Sequence, residues 1–361
     1  MFKLNTHQRY LIREVLAAVF LVLLAFLVLF SFFNFVDELR NVGRADYTAG
    51  RAALFVALGL PGLVYELIPI AALIGTLYAL STLARHSELT VLRASGLATS
   101  DLLITLFRAA ALLALLTFVF GEVLVPFSER LAQDIKARAL SKVVARGGLE
   151  SGLWIKDGRS FINIRKAKPD ATLEGVRIYR FTAENTLESV TDAEEASFQL
   201  PDHWLLKKVV KTILEADSSR VESSEEVEWH SAVNPDLLSI LTVAPERMSL
   251  YGLYNYNRHL VENKQKAERY QIALWKKLVY PLTALVMVAL ALPFGYSHDR
   301  VGGVSLKIFA GVMLGILFYA LNGLFSNLGV INSWPPFASA TAPAALFLVT
   351  AMGMLWWVER R

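Results

Sequence analysis

The sequence contains no cysteine, and this absence removes several classes of chemistry. Disulfide bonds, thiolate metal sites and cysteine nucleophiles are all excluded. The sequence also has no GxxxxGK[ST] run, nor even one Gly-Lys dipeptide, so the chain lacks a P-loop that could bind ATP phosphates. HExxH and GxSxG motifs are missing, and the six histidines show no metal-ligand spacing. We therefore expect a chain that is not an enzyme and that holds no cofactor or metal of its own.

Long apolar runs, in contrast, are abundant. Hydrophobic residues make up 55% of the 361 residues, a fraction typical of a polytopic membrane protein. Each of six runs is long enough to cross a bilayer as a helix. They cover residues 15–36, 53–83, 102–125, 272–296, 304–328 and 337–358. The first is too long for the core of a signal peptide, so it is predicted to be the first transmembrane helix.

The distribution of basic residues predicts the orientation of these helices. With both termini in the cytoplasm, the cytoplasmic segments hold most of the basic residues that flank the spans, while the short outer loop 329–336 carries no charge. This arrangement satisfies the positive-inside rule, and the inverted one does not. The cytoplasmic basic residues would be Lys3, Arg9, Arg13, Arg85, Arg93, Arg300, Lys307, Arg360 and Arg361.

A β-rich insert separates the third and fourth runs. Between about residues 147 and 243 the apolar runs give way to short alternating segments with turn-forming residues between them. The predicted strands cover residues 160–164, 175–181, 196–200, 203–214 and 226–230, and the acidic tract 222–228 is predicted to be a loop and strand edge. Closely spaced strands of this kind predict a sandwich, jellyroll or open barrel outside the cytoplasm. A polar helical linker, residues 249–270, leads back to the membrane.

The loop between the second and third runs, residues 85–101, is predicted to contain a short amphipathic helix at the cytoplasmic face. Its apolar positions are Leu89, Leu92 and Leu97. Ser87 is a candidate N-cap and Gly96 a candidate C-cap. Such a helix offers a surface on which a soluble motor could push.

Polar residues within or just outside the apolar runs have two interpretations. Glu66 lies between two prolines, and Glu122 lies near the outer end of the third run. Carboxylates at this depth face a protein interior or a wet cavity, so a structural role and a substrate contact both stay open. Beyond the third run, the helical segment 127–144 carries Gln133 and Lys136 within one turn. It is either a solvated helix or a basic rim suited to anionic headgroups.

Five segments, taken in order, resemble the permease family of the lipopolysaccharide exporter, the LptF/LptG type. They are RYLIRE at 9–14, FVDELRNVGR at 35–44, LARHSELTVLRASG at 83–96, WIKDGRSFINI at 154–164 and RYQIALWKKLVYPL at 269–282. Their order, with three spans on each side of a β-rich insert, extends the resemblance over essentially the whole chain. The second and third segments look more like the LptG branch of the family than the LptF branch.

The resemblance implies a fold, an activity and partners. The fold is six transmembrane helices with an inserted all-β periplasmic jellyroll: helices 1–3 in residues 1–145, with a cytoplasmic coupling helix at 85–97, the jellyroll in 146–248, and the linker and helices 4–6 in 249–361. The activity is ATP-driven extraction of lipopolysaccharide from the outer leaflet of the Gram-negative inner membrane. The implied partners are the homologous permease LptF, a dimeric cytoplasmic ATPase, LptB, that holds ATP and magnesium, and the single-span periplasmic bridge protein LptC. No nucleic acid is involved.

The resemblance also suggests roles for individual residues. Glu88 matches the acidic position of the coupling helix that would pair with a basic residue of the ATPase, and Leu89, Leu92 and Arg93 belong to the same contact. At the outer side, Arg40 matches a cationic position that meets the phosphates or inner sugars of lipopolysaccharide.

Lys136 stands where the family has a basic residue on the extension of the third helix. Asn34 and Gln133 depart from positions where some relatives carry lysine or arginine. Either this chain holds its anionic ligand with fewer direct charges, or Arg44, Arg130 or Arg138 supplies the missing charge.

Two other functions are open to a sequence of this kind. A membrane scaffold could recruit periplasmic partners through its β-domain without moving a substrate, and co-purification of a stoichiometric ATPase would argue against it. An ion-coupled transporter is disfavoured because the chain has no evident inverted repeat and few intramembrane acids.

Overall fold

The structure is a computed structural model, which describes residues 5–44, 46–96, 99–147, 152–167, 172–199, 203–215, 218–231, 244–296 and 304–360. Six of its helical segments are long and apolar enough to cross a membrane, and a six-stranded antiparallel sheet lies between the third and the fourth. This arrangement confirms the predicted fold class, and the sheet is consistent with a β-jellyroll-like domain.

The helices extend somewhat beyond the predicted apolar runs, because polar residues continue them into water. Their bounds are α1 Thr6–Glu38, α2 Ala49–Arg85, α3 Glu88–Ala94, α4 Thr99–Val119, α5 Val125–Gly147, α6 Leu250–Glu262, α7 Glu268–Val279, α8 Thr283–Tyr296, α9 Val304–Ile331 and α10 Pro336–Glu359. Short 3₁₀ turns occupy Leu39–Asn41, Pro245–Arg247 and Tyr280–Leu282. The last of these turns joins α7 to α8 within the fourth span, where Pro281 cannot donate a backbone hydrogen bond.

The second helix is the centre of the bundle. Its apolar window is 78% buried, whereas the windows of the first and fifth spans are only 17% and 22% buried. Pro61 and Pro69 lie inside α2 without ending it. At Gly75 the backbone of α1 comes so close that an added Cβ would lie 2.5 Å from the Cα of Val19. The absent side chain therefore lets α1 and α2 pack in direct backbone contact.

The third span contains a feature that the sequence did not predict. A π-helical turn, Phe120–Leu124, separates α4 from α5 and inserts one extra residue per turn. Within it, a Cβ on Gly121 would lie 2.6 Å from the ring of Tyr65 on α2. The predicted helical continuation of this span over 127–144 is confirmed by α5.

The inserted sheet is a meander in which each strand pairs with the next. Its strands are β1 Leu153–Asp157, β2 Ser160–Ala167, β3 Thr172–Phe181, β4 Leu187–Gln199, β5 His203–Leu214 and β6 Ser219–His230. Alternate residues of β1–β5 bury one apolar face that includes Ile162, Val176 and Trp204. The first strand was not predicted. The acidic tract 222–228, predicted to be a loop and strand edge, lies wholly in the edge strand β6 and not in a loop. Its Glu222 and Glu226 lie opposite Lys211 and Lys207 of β5.

Helix α3, which was predicted to lie at the cytoplasmic face, is shorter than the predicted 85–97. Arg85 belongs to α2, and Ser87 has a φ of 61°, which is not the extended geometry of an N-cap. Gly96 has a φ of 99°, the left-handed conformation expected at the end of a helix. Leu97 lies outside the described residues.

Candidate functional site

Helix α3 is held to the bundle through its apolar side chains. Leu89 is 5% exposed and packs in the same core cluster as residues of α1, α2 and α4, and Leu92 packs against that cluster. Val91, in contrast, is 65% exposed. The two leucines therefore fix the helix to the spans and leave its outward face, which includes Val91, open to another molecule.

Glu88 makes a contact that sequence reasoning missed. Its Oε2 accepts a hydrogen bond from the hydroxyl of Tyr10 on α1, with the two oxygens 2.7 Å apart. The predicted coupling residue is thus tied directly to the first span. Arg93 lies in α3, but its side chain is outside the described part of the structure.

At the end of α1 far from α3, α1 and α5 are joined by an ion pair. Lys136 Nζ lies 2.9 Å from one carboxylate oxygen of Glu38 and 3.0 Å from the other. Asn41 donates to the same carboxylate, and the Lys136 ammonium lies 4.5 Å from the centroid of the Phe55 ring. Burial, together with the Glu38 carboxylate, raises the pKa of Tyr47, so its hydroxyl stays protonated. Lys136 is therefore engaged within the protein.

The other two predicted headgroup residues are much more open. The Arg40 side chain is 81% exposed and lies 3.6 Å from Asp37, a contact that contributes little in water. Arg44 is also exposed and donates a 3.4 Å hydrogen bond to Asn41. The structure thus places Arg40, Arg44 and Lys136 at one end of the bundle, and the two arginines are the exposed members.

A second polar cluster joins the two halves of the chain, and we call Glu66, Glu129, Gln133 and Arg247 the Arg247 cluster. Arg247 follows the β-domain, and its Nη1 lies 2.8 Å from Glu129 Oε2 on α5. Its Nη2 lies 4.0 Å from Glu66 on α2. Gln133 donates to the other oxygen of Glu129 at 2.9 Å. Burial lowers the pKa of Arg247, but Glu129 and Glu66 more than offset this and raise it.

Glu122 fixes the start of α6 beside this cluster. Its two carboxylate oxygens lie 3.1 Å and 2.9 Å from the backbone nitrogen of Leu250, which donates to them. A negative charge at a helix N-terminus is stabilising. Lys277 donates to the carbonyl of Met248 from α7. These contacts favour the structural interpretation of Glu122, because it anchors the segment through which the chain returns from the sheet.

The Arg247 cluster joins the segments that lead into and out of the sheet. The third span continues through the π-helical turn into α5, which ends at Gly147, shortly before β1. Arg247 lies in the 3₁₀ turn Pro245–Arg247, which follows the sheet. The contact between Glu129 and Arg247 therefore fixes the two ends of the insert to each other.

Neither Glu129 nor Arg247 was predicted as a site residue. The only local signal was the four-residue spacing of Glu129 and Gln133, which places both on one face of α5. The partner lies 118 residues from Glu129, in a short turn after the sheet.

Replacing Glu129 with alanine is expected to destabilise the protein by about 1–3 kcal/mol, because it leaves the half-buried Arg247 without its closest counter-charge. The measurement is the thermal unfolding midpoint in detergent. Glu262→Ala is the control, since it breaks an exposed pair with Arg258 at 3.7 Å that should contribute at most about 0.5 kcal/mol. Equal midpoints for the two variants would show that the cluster does not hold α5 to the linker.

Comparison with known proteins identifies the family. Residues 9–357 match the family described as lipopolysaccharide export system permease LptF/LptG. The chain is 31% identical to the lipopolysaccharide export system permease protein LptG of Haemophilus influenzae, with 99% of each chain covered. It is 32% identical to the LptG protein of Escherichia coli K12, over 96% of this chain and 97% of that one. Its sequence identity to LptF of the same strain is 30%, over 36% of each chain.

These matches agree with the observed fold. The resemblance deduced from the five sequence segments is confirmed, including the stronger likeness to LptG. The six membrane-spanning helices make the chain a multi-pass membrane protein, and its relatives are named as permeases of an export system. The chain belongs to the LptF/LptG family of lipopolysaccharide export permeases.

Proposed function

We propose that this chain is the permease subunit of an ATP-driven exporter that extracts lipopolysaccharide from the outer leaflet of the inner membrane. It pairs with a homologous LptF subunit and is driven by a cytoplasmic LptB dimer that holds ATP and magnesium. The lipid passes to its periplasmic β-domain and onward through the bridge protein LptC. Both termini lie in the cytoplasm.

The observation that carries this proposal is the attachment of α3. A push on the exposed face around Val91 meets a helix fixed to the core by Leu89 and to α1 by the Tyr10–Glu88 hydrogen bond. Because well-packed interiors transmit displacement, the push moves α1 and α2 as one body. Glu88 has a carboxylate oxygen that can also meet a basic residue of the motor.

An external motor is required by the energetics of the substrate. Each buried CH₂ of an acyl chain contributes about 0.8 kcal/mol, so removing a lipid with several chains from a bilayer costs tens of kcal/mol. The apolar face of the sheet lowers this cost by keeping the chains out of water. Two contacts hold the segments that flank the sheet to the spans: the Glu38–Lys136 pair fixes α5, which precedes the sheet, and the Arg247 cluster fixes the turn that follows it.

The proposed headgroup contact uses the exposed cations at the outer end of α1. Arg40 and Arg44 meet the phosphates directly, whereas Lys136 acts indirectly by holding Glu38 and α1 in place. A photoreactive residue at position 40 is expected to form a lipopolysaccharide adduct that declines on addition of ATP. The same residue at position 136 should give a much weaker adduct.

The experiment is photocrosslinking in membranes that contain the complete transporter. Position 251 serves as the background control, because Tyr251 is exposed on α6 and is not a predicted headgroup contact. A stronger adduct at position 136 than at position 40 would contradict this division of roles. A transporter that forms no lipopolysaccharide adduct at any position and releases no lipid with ATP would refute the proposed function itself.

A further inference from the structure

Four aromatic side chains form a patch on the first three strands of the sheet, and we call it the aromatic platform. Trp154 of β1 stacks on Tyr179 of β3, with ring centroids 5.6 Å apart and the ring planes at 20°. Phe161 of β2 packs edge-on against Phe181 of β3 at 5.6 Å. Trp154 is 51% exposed and Phe161 is 40% exposed.

The platform is not part of the hydrophobic core. Its members alternate along the strands with Ile155, Ile162 and Ile178, which are buried in the apolar face. Because successive side chains of a strand point to opposite faces, the platform lies on the other face of the sheet. A clustered set of partly exposed aromatic rings is a marker of a binding surface.

The platform also carries two cationic side chains, Lys156 and Arg159. The Lys156 ammonium lies 5.7 Å from the centroid of the Phe161 ring, and the exposed Arg159 follows in the turn between β1 and β2. In the part of the chain that the structure describes, neither side chain forms an ion pair with a carboxylate. Arg177 and Arg180, on the same face of β3 or beside it, are each paired with an acid.

The turn between β1 and β2 faces the transmembrane part. Asn263, in the loop between α6 and α7, accepts a 2.6 Å hydrogen bond from the backbone nitrogen of Gly158 in this turn. Lys156, Arg159 and Phe161 flank that contact in the chain. The cationic end of the platform is therefore the end closest to the helices, where a headgroup that leaves the membrane would arrive.

We infer that the aromatic platform binds the phosphorylated saccharide part of the exported lipid. Sugar rings pack their C–H groups against aromatic faces. The cationic side chains of Lys156 and Arg159 form charge-assisted hydrogen bonds with phosphate groups. The two faces of the sheet then divide the substrate, with acyl chains against the apolar face and sugars against the platform. This inference rests on the proposed function, because it assumes that the chain handles lipopolysaccharide.

The test uses the complete transporter in nanodiscs and, as probe, the deacylated and phosphorylated core oligosaccharide. Isothermal titration is expected to show saturable binding that weakens about tenfold in Trp154→Ser, a loss of about 1.4 kcal/mol. Lys156→Gln should weaken binding of the phosphorylated probe but not of its dephosphorylated form. Val221→Ser is the control, because Val221 is 61% exposed on β6 of the same sheet, away from the platform.

Three outcomes would overturn the inference. One is no saturable oligosaccharide binding by a transporter that still releases intact lipopolysaccharide with ATP, a result that leaves the proposed function intact. Another is a loss of oligosaccharide binding in Val221→Ser as large as the loss in Trp154→Ser. A third is an equal effect of Trp154→Ser on binding to phosphatidylglycerol vesicles, which would assign the platform to the membrane surface. Failure of ATP-driven release in the unaltered transporter would instead count against the proposed function.

Discussion

Replacing Glu88 with lysine is expected to lower ATP-dependent lipopolysaccharide release at least about tenfold, the scale of losing one charged contact at an interface. The substitution removes the acceptor of the Tyr10 hydroxyl and reverses the charge offered to the motor. Because Leu89 and Leu92 still hold α3 to the core, the protein should fold normally. The measurement is lipid release from membranes or proteoliposomes that contain the complete transporter, with the amount of assembled complex determined in parallel.

Two matched variants separate the two roles of Glu88. Tyr10→Phe removes only the internal hydrogen bond, so it should reduce release by less than about fivefold, in keeping with a net contribution of about 1 kcal/mol or less. Glu88→Gln keeps an acceptor for Tyr10 but removes the charge, and it should lie between the unaltered protein and Glu88→Lys. Normal release from Glu88→Lys membranes would refute the assignment of Glu88 to coupling. A Tyr10→Phe defect as large as that of Glu88→Lys would show that Glu88 acts only within this chain.

Replacing Gly75 with valine is expected to prevent α1 from packing on α2 and to leave little folded protein. An added Cβ would lie 2.5 Å from the Cα of Val19 and 2.6 Å from its backbone nitrogen. Backbone atoms of a packed helix cannot rotate away as side-chain atoms can. We therefore expect a loss of folding free energy about twice the usual 1–3 kcal/mol of overpacking. Gly75→Ala should fold with a clearly lowered thermal midpoint. The yield of monodisperse protein and the unfolding midpoint in detergent measure both effects.

Gly59 provides the control in the same helix. A Cβ at Gly59 meets nothing within 4 Å, and alanine is the better helix former by about 1 kcal/mol. Gly59→Ala should therefore leave the midpoint unchanged or raise it. Gly311→Ala should fall between the two, because its nearest neighbour is the flexible end of the Leu77 side chain. A Gly75→Ala protein as stable as Gly59→Ala would show that α1 and α2 are not in backbone contact.

The sequence predicted those features that depend on local pattern. Each span contains an uninterrupted apolar stretch, and β5 was placed at its exact bounds because alternation and flanking turns both define it. The first strand was missed because Leu153–Asp157 starts with three apolar residues in a row, Leu-Trp-Ile, and so lacks the alternation used to predict the other strands. The π-helical turn Phe120–Leu124 has no compositional signature, since residues of these types, Phe-Gly-Glu-Val-Leu, also occur within ordinary helices.

The site was less accessible to sequence reasoning, because its contacts join distant parts of the chain. The Tyr10–Glu88, Glu38–Lys136 and Glu129–Arg247 pairs span 78, 98 and 118 residues. No periodicity relates such positions, and only the packing of the helices brings them together. Glu88 and Lys136 could be singled out by resemblance to the family, but their partners could not. The partner of each cation decides whether it can contact a headgroup, since Lys136 is paired with Glu38 while Arg40 stays exposed.

The central claim is that a push on α3 moves α1 as a rigid body. Because the chain has no cysteine, spin labels can be placed at single introduced cysteines, Thr90→Cys on the exposed side of α3 and Leu39→Cys at the outer end of α1. From the rise of a helix, the two positions lie about 45 Å apart, within the range of pulsed electron–electron distance measurement. In the complete transporter, addition of ATP should leave this internal distance unchanged, while the distance between Leu39→Cys and a label on the partner permease shortens. A change in the internal distance with no change between the two permeases would contradict the account.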